Sequence, residues 1–162
     1  MTVDPQPVTP TVTSTKVLRR FRVVFNAVRT HFRQIEKQAG LGGAQVWALS
    51  LIQDHPGIGM GGIAKNMDIH QSTASNLIKT LLRKELISMD KSAHDKRSVH
   101  LHILPTGRTL LANVSAPFEG VLPAALQKLD AATLARLDAD IGELIALLNV
   151  DEAAEETPLA DI

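Results

Sequence analysis

Apolar residues recur along this chain at the spacing of an α-helix and change to strand-like alternation at one place, between residues 87 and 103. A chain patterned this way folds mainly as packed helices with one small hairpin. Leu18, Phe21, Phe25, Val28, Phe32 and Ile35 are spaced alternately by three and four, which marks one face of a helix over about 16–39. Gly40 supplies its stop. A second helix over about 44–54 carries Val46, Trp47, Leu49, Leu51 and Ile52 and ends before the breaker His55-Pro56-Gly57. A short helix of about 60–67 follows, with Ile63, Ala64 and Met67 inward, then a tight turn at Asp68-Ile69-His70. The next helix, about 71–85, turns Ala74, Leu77, Ile78 and Leu81 inward. Ile87 and Met89, then Val99, Leu101 and Ile103, alternate with polar residues on either side of the loop Asp90–Ser98, which reads as a β-hairpin.

Helical spacing then returns. Leu110, Leu111, Val114, Phe118, Val121, Leu122 and Leu129 form one long stripe, in which Pro117 and Pro123 should each bend or restart the helix. Asp130 is placed to cap a last helix of about 131–148, with a stripe of Leu134, Leu137, Ile141, Leu144, Ile145 and Leu148. The reading divides the chain into a disordered arm (1–14), a first helix (15–40), a middle lobe (41–106), C-terminal helices (107–149) and a disordered acidic tail (150–162).

The ends and the composition remove several classes of protein. The chain has no Cys, which excludes thiol nucleophiles, thiol redox switches, disulfides and Cys-ligated zinc. No apolar run approaches the length of a bilayer span, and the start MTVDPQPVTPTVTST has no basic-then-apolar pattern, so a soluble cytoplasmic protein with no membrane partner is expected. Net charge is zero, but residues 1–110 hold 15 Lys and Arg against 7 Asp and Glu, and residues 111–162 hold 2 against 10. Such a chain can offer one part to a polyanion and keep another away from it.

A short helix, a three-residue turn, a longer helix and a hairpin, in that order, are the parts of a winged helix-turn-helix. The longer helix carries Gln71, Ser72, Thr73, Ser75 and Asn76 where a groove floor would be met. These side chains are short enough to let a helix sit deep, and Asn can pair bidentately with an adenine edge. Lys79 and Arg83 lie further along, where phosphates would run. The hairpin loop brings Lys91, Lys96 and Arg97 toward a minor groove or the backbone.

The run IAKNMDIHQSTASNLIKTLLRKELI and the run HDKRSVHLHILPTGRTLL resemble the MarR family of winged-helix transcriptional regulators, and the resemblance extends over about 16–148. The family's wing has an Asp-x-Arg pair and, some ten residues later, a Gly that opens the next helix. Asp95, Arg97 and Gly107 stand in that register. The resemblance implies that Arg97 reaches DNA and Asp95 supports the wing. It also implies a homodimer built from residues of about 16–32 and 118–150, and a near-palindromic double-stranded operator. Many family members release DNA on binding a small organic molecule, which points here to a repressor and to an effector pocket between the first two helices and a long fifth helix. Arg29, His31 and Trp47 are its candidate walls. Three positions depart from the family: His70 stands where a capping Ser, Thr or Asp is usual, Glu85 where Gly closes the helix, and Leu104 where Thr precedes the exit turn.

Other readings are weaker. Gly57-Ile58-Gly59-Met60-Gly61-Gly62 spells a dinucleotide fingerprint, but it follows a helix and opens only a short one, so no cofactor is expected. His94, His100 and His102 read as solvated wing residues rather than metal ligands. Arg19, Arg20, Arg22, Arg29 and Arg33 read as a solvated face that pairs with acids of the last helices, such as Asp138 or Glu143. Ser and His cluster where no reacting pocket can be built, so no catalytic residues and no enzyme are expected. The competing function is a winged-helix protein-interaction module without DNA binding.

Overall fold

A computed structural model describes residues 12–91, 99–150 and 155–161. Seven helices and two strands follow one another as α1 (Ser14–Ala39), α2 (Gly43–Asp54), α3 (Met60–Met67), α4 (Gln71–Arg83), β1 (Ile87–Lys91), β2 (Val99–Ile103), α5 (Pro105–Ala112), α6 (Val121–Leu126) and α7 (Ala131–Leu148), and a 3-10 turn lies at Leu159–Asp161. The fold is mainly helical with a small antiparallel wing, as the periodicity predicts.

The core is aliphatic and collects around α2. Val46, Ala48, Leu49 and Ile52 of α2 are fully buried, against Ile63 of α3, Ala74, Ile78 and Leu81 of α4, and Leu101 of β2. α1 joins this core at its C-terminal end through Ile35, which is buried, and Phe32. The half-buried Phe32 ring lies close against two glycines. A methyl on Gly43 would come within 2.3 Å of it, and one on Gly120 within 2.9 Å.

α4 turns inward the four residues its spacing predicts and ends at Arg83, two residues earlier than read. The stop is a Schellman-type closure. The Leu86 amide donates to the Leu81 carbonyl (3.1 Å), the Glu85 amide to that of Leu82 (3.0 Å), and Leu81 and Leu86 are both buried. This closure demands a left-handed residue, and Glu85 adopts φ 55. An L-residue there costs on the order of 1 kcal/mol that Gly does not. Glu85→Gly is therefore expected to raise the melting temperature by about 2–4 °C; a thermal melt checks it, and a fall would mean that the Glu85 side chain contributes more than its backbone costs.

β1 pairs antiparallel with β2, with Ile87 opposite Ile103 and Lys91 opposite Val99. Ile58 adds a bridge to Leu101, so the residues of the supposed dinucleotide fingerprint form the inner edge of the wing and the entry to α3. At the base of the wing the Leu104 amide donates to the Leu86 carbonyl (3.0 Å) and Thr106 Oγ1 to that of Glu85 (2.6 Å).

Two expectations about the C-terminal half need correction. The long fifth helix does not exist: α5 ends at Ala112 and α6 begins at Val121. Pro117 cannot donate to a helical ladder, and Gly120 takes φ 108 in the same stretch. Pro123 causes no break, because it lies in the first turn of α6, where its missing N–H costs nothing. The tail also differs from the disordered reading over residues 155–161. This segment folds back on α1 and α2, with Pro158 buried and Ala160 against the core. The small residues at Gly43 and Ala44 leave a shallow seat for it, and a methyl on Gly43 would lie 3.0 Å from Ala160 Cβ.

α7 begins as predicted. The Asp130 carboxylate accepts from the Thr133 amide (2.9 Å) and hydroxyl (2.7 Å), and these bonds hold its pKa below the usual value. No residue of α7 is buried within the chain.

Candidate nucleic-acid interface

The order of elements sets the geometry of the interface. α3 closes on a left-handed Asp68, whose turn lets Ile69 drop into the core and redirects the chain into α4. With Ala74, Leu77, Ile78 and Leu81 locked inward, the opposite face of α4 must look outward. Gln71, Ser72, Asn76, Lys79 and Arg83 are exposed, and Thr73 and Ser75 are half-buried at the margins of that face. Arg83 is steadied by Thr80, whose hydroxyl lies 3.1 Å from its guanidinium and itself donates to the Asn76 carbonyl (3.2 Å). The face therefore presents short polar groups along its first two turns and cations along its last, on a helix held rigidly from behind.

The wing completes one flank. His100 Nδ1 donates to the Gly57 carbonyl (3.1 Å), which ties β2 to the segment before α3. His102 lies 3.7 Å from the Asp90 carboxylate. Lys91 is exposed at the end of β1. His94, Asp95, Lys96 and Arg97 fall outside the described residues, so the roles inferred for them rest on the sequence.

The candidate effector walls do not come together. Arg29 borders a cavity of about 350 Å³ with Val24, Phe25 and Val28 of α1, Leu122 of α6 and Leu159 of the tail. His31 is directed elsewhere: its Nε2 donates to the Pro117 carbonyl (2.8 Å) and its ring meets Phe32 edge-on. Trp47 packs against the core from α2. Sequence reasoning missed Leu122 and Leu159 because both lie in segments whose placement depends on where the helices break.

The α1 arginines do not pair as expected within one chain. Among the described residues the ion pairs are His70 with Glu156 and His102 with Asp90, and neither involves Arg19, Arg20, Arg22, Arg29 or Arg33. Among the described helices none is long and apolar enough to cross a membrane.

A helix-turn-helix whose second helix carries an exposed polar and basic face, with a two-stranded wing beside it, defines a winged-helix protein of the DNA-binding type. Residues 43–99 match the MarR family model. A Thauera aromatica protein named for transcriptional regulation of the hcr operon is 32% identical over 132 residues, covering 81% of this chain and 74% of that one. Among solved structures, the Staphylococcus aureus MepR–DNA complex superposes with a TM-score of 0.56 at 20% identity, over 84% of this chain and 98% of that one. A MepR-like protein complexed with pseudoligands gives 0.58 at 16% identity, over 85% and 97%. MarR itself gives 0.51 at 21%, over 59% and 70%. The chain belongs to the MarR family of transcriptional regulators.

Proposed function

We propose that the chain is a homodimeric, sequence-specific DNA-binding repressor of the cytoplasm, and that a small organic effector releases it from its operator. The observation that carries this reading is the α4 face: polar, exposed, and backed by four buried apolar residues. Each protomer lays α4 in a major groove, with Gln71, Ser72, Thr73, Ser75 and Asn76 toward base edges and Lys79 on phosphate. Lys96 and Arg97 reach the flanking backbone or minor groove, with Asp95 supporting the wing. Two-fold symmetry places the half-sites about one helical turn, roughly 34–36 Å, apart on a near-palindromic operator.

Support for the dimer comes from apolar surface that one chain leaves uncovered. Val17, Leu18, Val23, Val24 and Phe25 on α1 and Leu134, Ile141, Leu144, Ile145, Leu147 and Leu148 on α7 are all exposed, Phe25 by 63% and Leu147 by 84%. α1 and α7 flank an open cleft of about 520 Å³ lined by Val17, Phe21, Val24, Leu137, Ile141 and Leu144, with Arg20 and Asp140. A stripe on this scale wants a partner, and a second copy offers Asp138, Asp140 and Glu143 to the α1 arginines.

Binding to a promoter fragment across a salt series tests the function. Asn76→Ala is expected to cost about 1–3 kcal/mol on the true operator and much less on random duplex. Arg97→Ala is expected to weaken binding to every sequence and to lower the salt slope by about one. Equal losses for Asn76→Ala on both duplexes would move that residue to the phosphate contacts. Absence of salt-dependent binding to any duplex would favour the protein-interaction module.

The effector reading rests on the cavity beside Arg29, which offers one cation in apolar walls. An aromatic acid that fills it is expected to raise the melting temperature by mass action and to lower operator affinity. A thermal-shift screen followed by operator titration with each hit checks this. Release of DNA by peroxide alone, with no small ligand active, would defeat it.

A further inference from the structure

The segment 155–161 is short, acidic and docked. Pro158 is buried, Ala160 rests over Gly43, and Leu159 borders the cavity on α1. These three contacts fix the direction in which the preceding residues leave, and Glu156 reaches the start of α4, where its Oε2 lies 2.5 Å from His70 Nδ1. His70 is the N-cap of α4, and its side chain makes no capping bond of its own. The amides that open α4 point toward this end, and a helix start of this kind attracts anions, phosphate among them. Gln71 and Ser72, the first two residues of the helix, are exposed beside it. The place is therefore contested: a carboxylate of the same chain stands where the DNA backbone must pass if α4 enters a groove by its N-terminal turns.

We propose that residues 155–161 form a self-inhibitory strap, which holds the Glu156 carboxylate at the DNA-entering end of α4 and weakens DNA binding in cis. The proposal rests on the reading of α4 as the groove helix. Its physical basis is charge and position. Glu156 and the neighbouring Glu155 carry the same sign as the phosphates, and the exposed His70–Glu156 contact is weak enough to open when a duplex displaces it. The strap discriminates between duplexes only through their affinity for α4, so it lowers binding to all sequences alike and raises the threshold a true operator must pass. Its anchors are apolar and its inhibiting groups are carboxylates, Glu156 foremost, so the two can be separated by mutation.

The test compares three proteins at low salt on a random-sequence duplex and on a promoter fragment: the full chain, Glu156→Gln, and a chain ending at Ala154. Removing one carboxylate several ångströms from the phosphates is expected to tighten binding about threefold, and removing the whole strap about tenfold, on both duplexes. Both gains should shrink as salt is raised toward about 0.3 M, because the repulsion is screened. Glu156→Gln leaves Pro158, Leu159 and Ala160 in place, so it reads the charge even if the shortened chain folds poorly. Measurable and equal binding by the full chain and Glu156→Gln overturns the strap and leaves the α4 reading standing, as does weaker binding by the variant. Absence of binding by all three proteins on both duplexes overturns the α4 reading and the strap together.

Discussion

Gly107→Ala is expected to destabilise the protein by about 3 kcal/mol, a fall of roughly 10 °C in melting temperature. Helix propensity alone predicts the opposite, since Gly107 lies within α5 and Ala is favoured over Gly by about 1 kcal/mol in a helix interior. Space decides the sign. A methyl on Gly107 would lie 2.4 Å from the Leu86 carbonyl oxygen and 2.8 Å from Ile103 Cγ1. The first of these is backbone, and that carbonyl already accepts from the Leu104 amide at the base of the wing. It cannot yield without opening the joint between the end of α4, β2 and α5. Thermal melts of the two proteins check this, and a melting temperature that rises would show that α5 can slide away from the wing at little cost.

If the protein is the proposed dimer, Ile141→Asp is expected to turn it into a monomer and to weaken operator binding by about a hundredfold or more. Ile141 lies on the open side of α7, and its neighbours across the cleft are Phe21 and Val24 of α1. In the proposed dimer a carboxylate there would be buried among apolar side chains and set beside Asp140, with Arg20 as the one cation lining the cleft. Folding of each chain should survive, because no residue of α7 contributes to the buried core. Light scattering should then give the chain mass of 17.5 kDa for the variant and about twice that for the parent. A variant that stays dimeric would place the interface elsewhere. A parent that is already monomeric and still binds its operator tightly would remove the dimer from the mechanism.

How far the sequence reveals this molecule differs by region. The face of α4 is legible residue by residue, because Ala74, Leu77, Ile78 and Leu81 repeat at helical spacing and are buried on one side only. The bounds of α7 are equally plain, because Asp130 announces the start and the stripe continues to Leu148. The stretch from Leu110 to Leu129 misleads for a physical reason. Val114 and Phe118 keep a helical spacing and pack against the core, but they do so from a loop, and spacing does not report which backbone carries a buried side chain. The tail misleads in another way: its seat on α2 depends on the absence of side chains at Gly43, so its own residues carry little apolar signal. The candidate effector walls divide for a similar cause. Position along the first two helices groups Arg29, His31 and Trp47, whereas the cavity is decided by where α6 and residue Leu159 come to lie.

The seat of Phe32 has a mechanical consequence. Its ring lies against the first residue of α2 on one side and the residue that opens α6 on another, with no room for a methyl at either. A roll of α1 at this point would press the ring on one or the other, which couples the three pieces there. α2 packs directly on α4. If two copies change the angle at which their α1 helices cross, the rotation passes through Phe32 and α2 to α4 with little slack. A small change at the far end of a 26-residue arm then becomes a change in the distance between the two copies of α4.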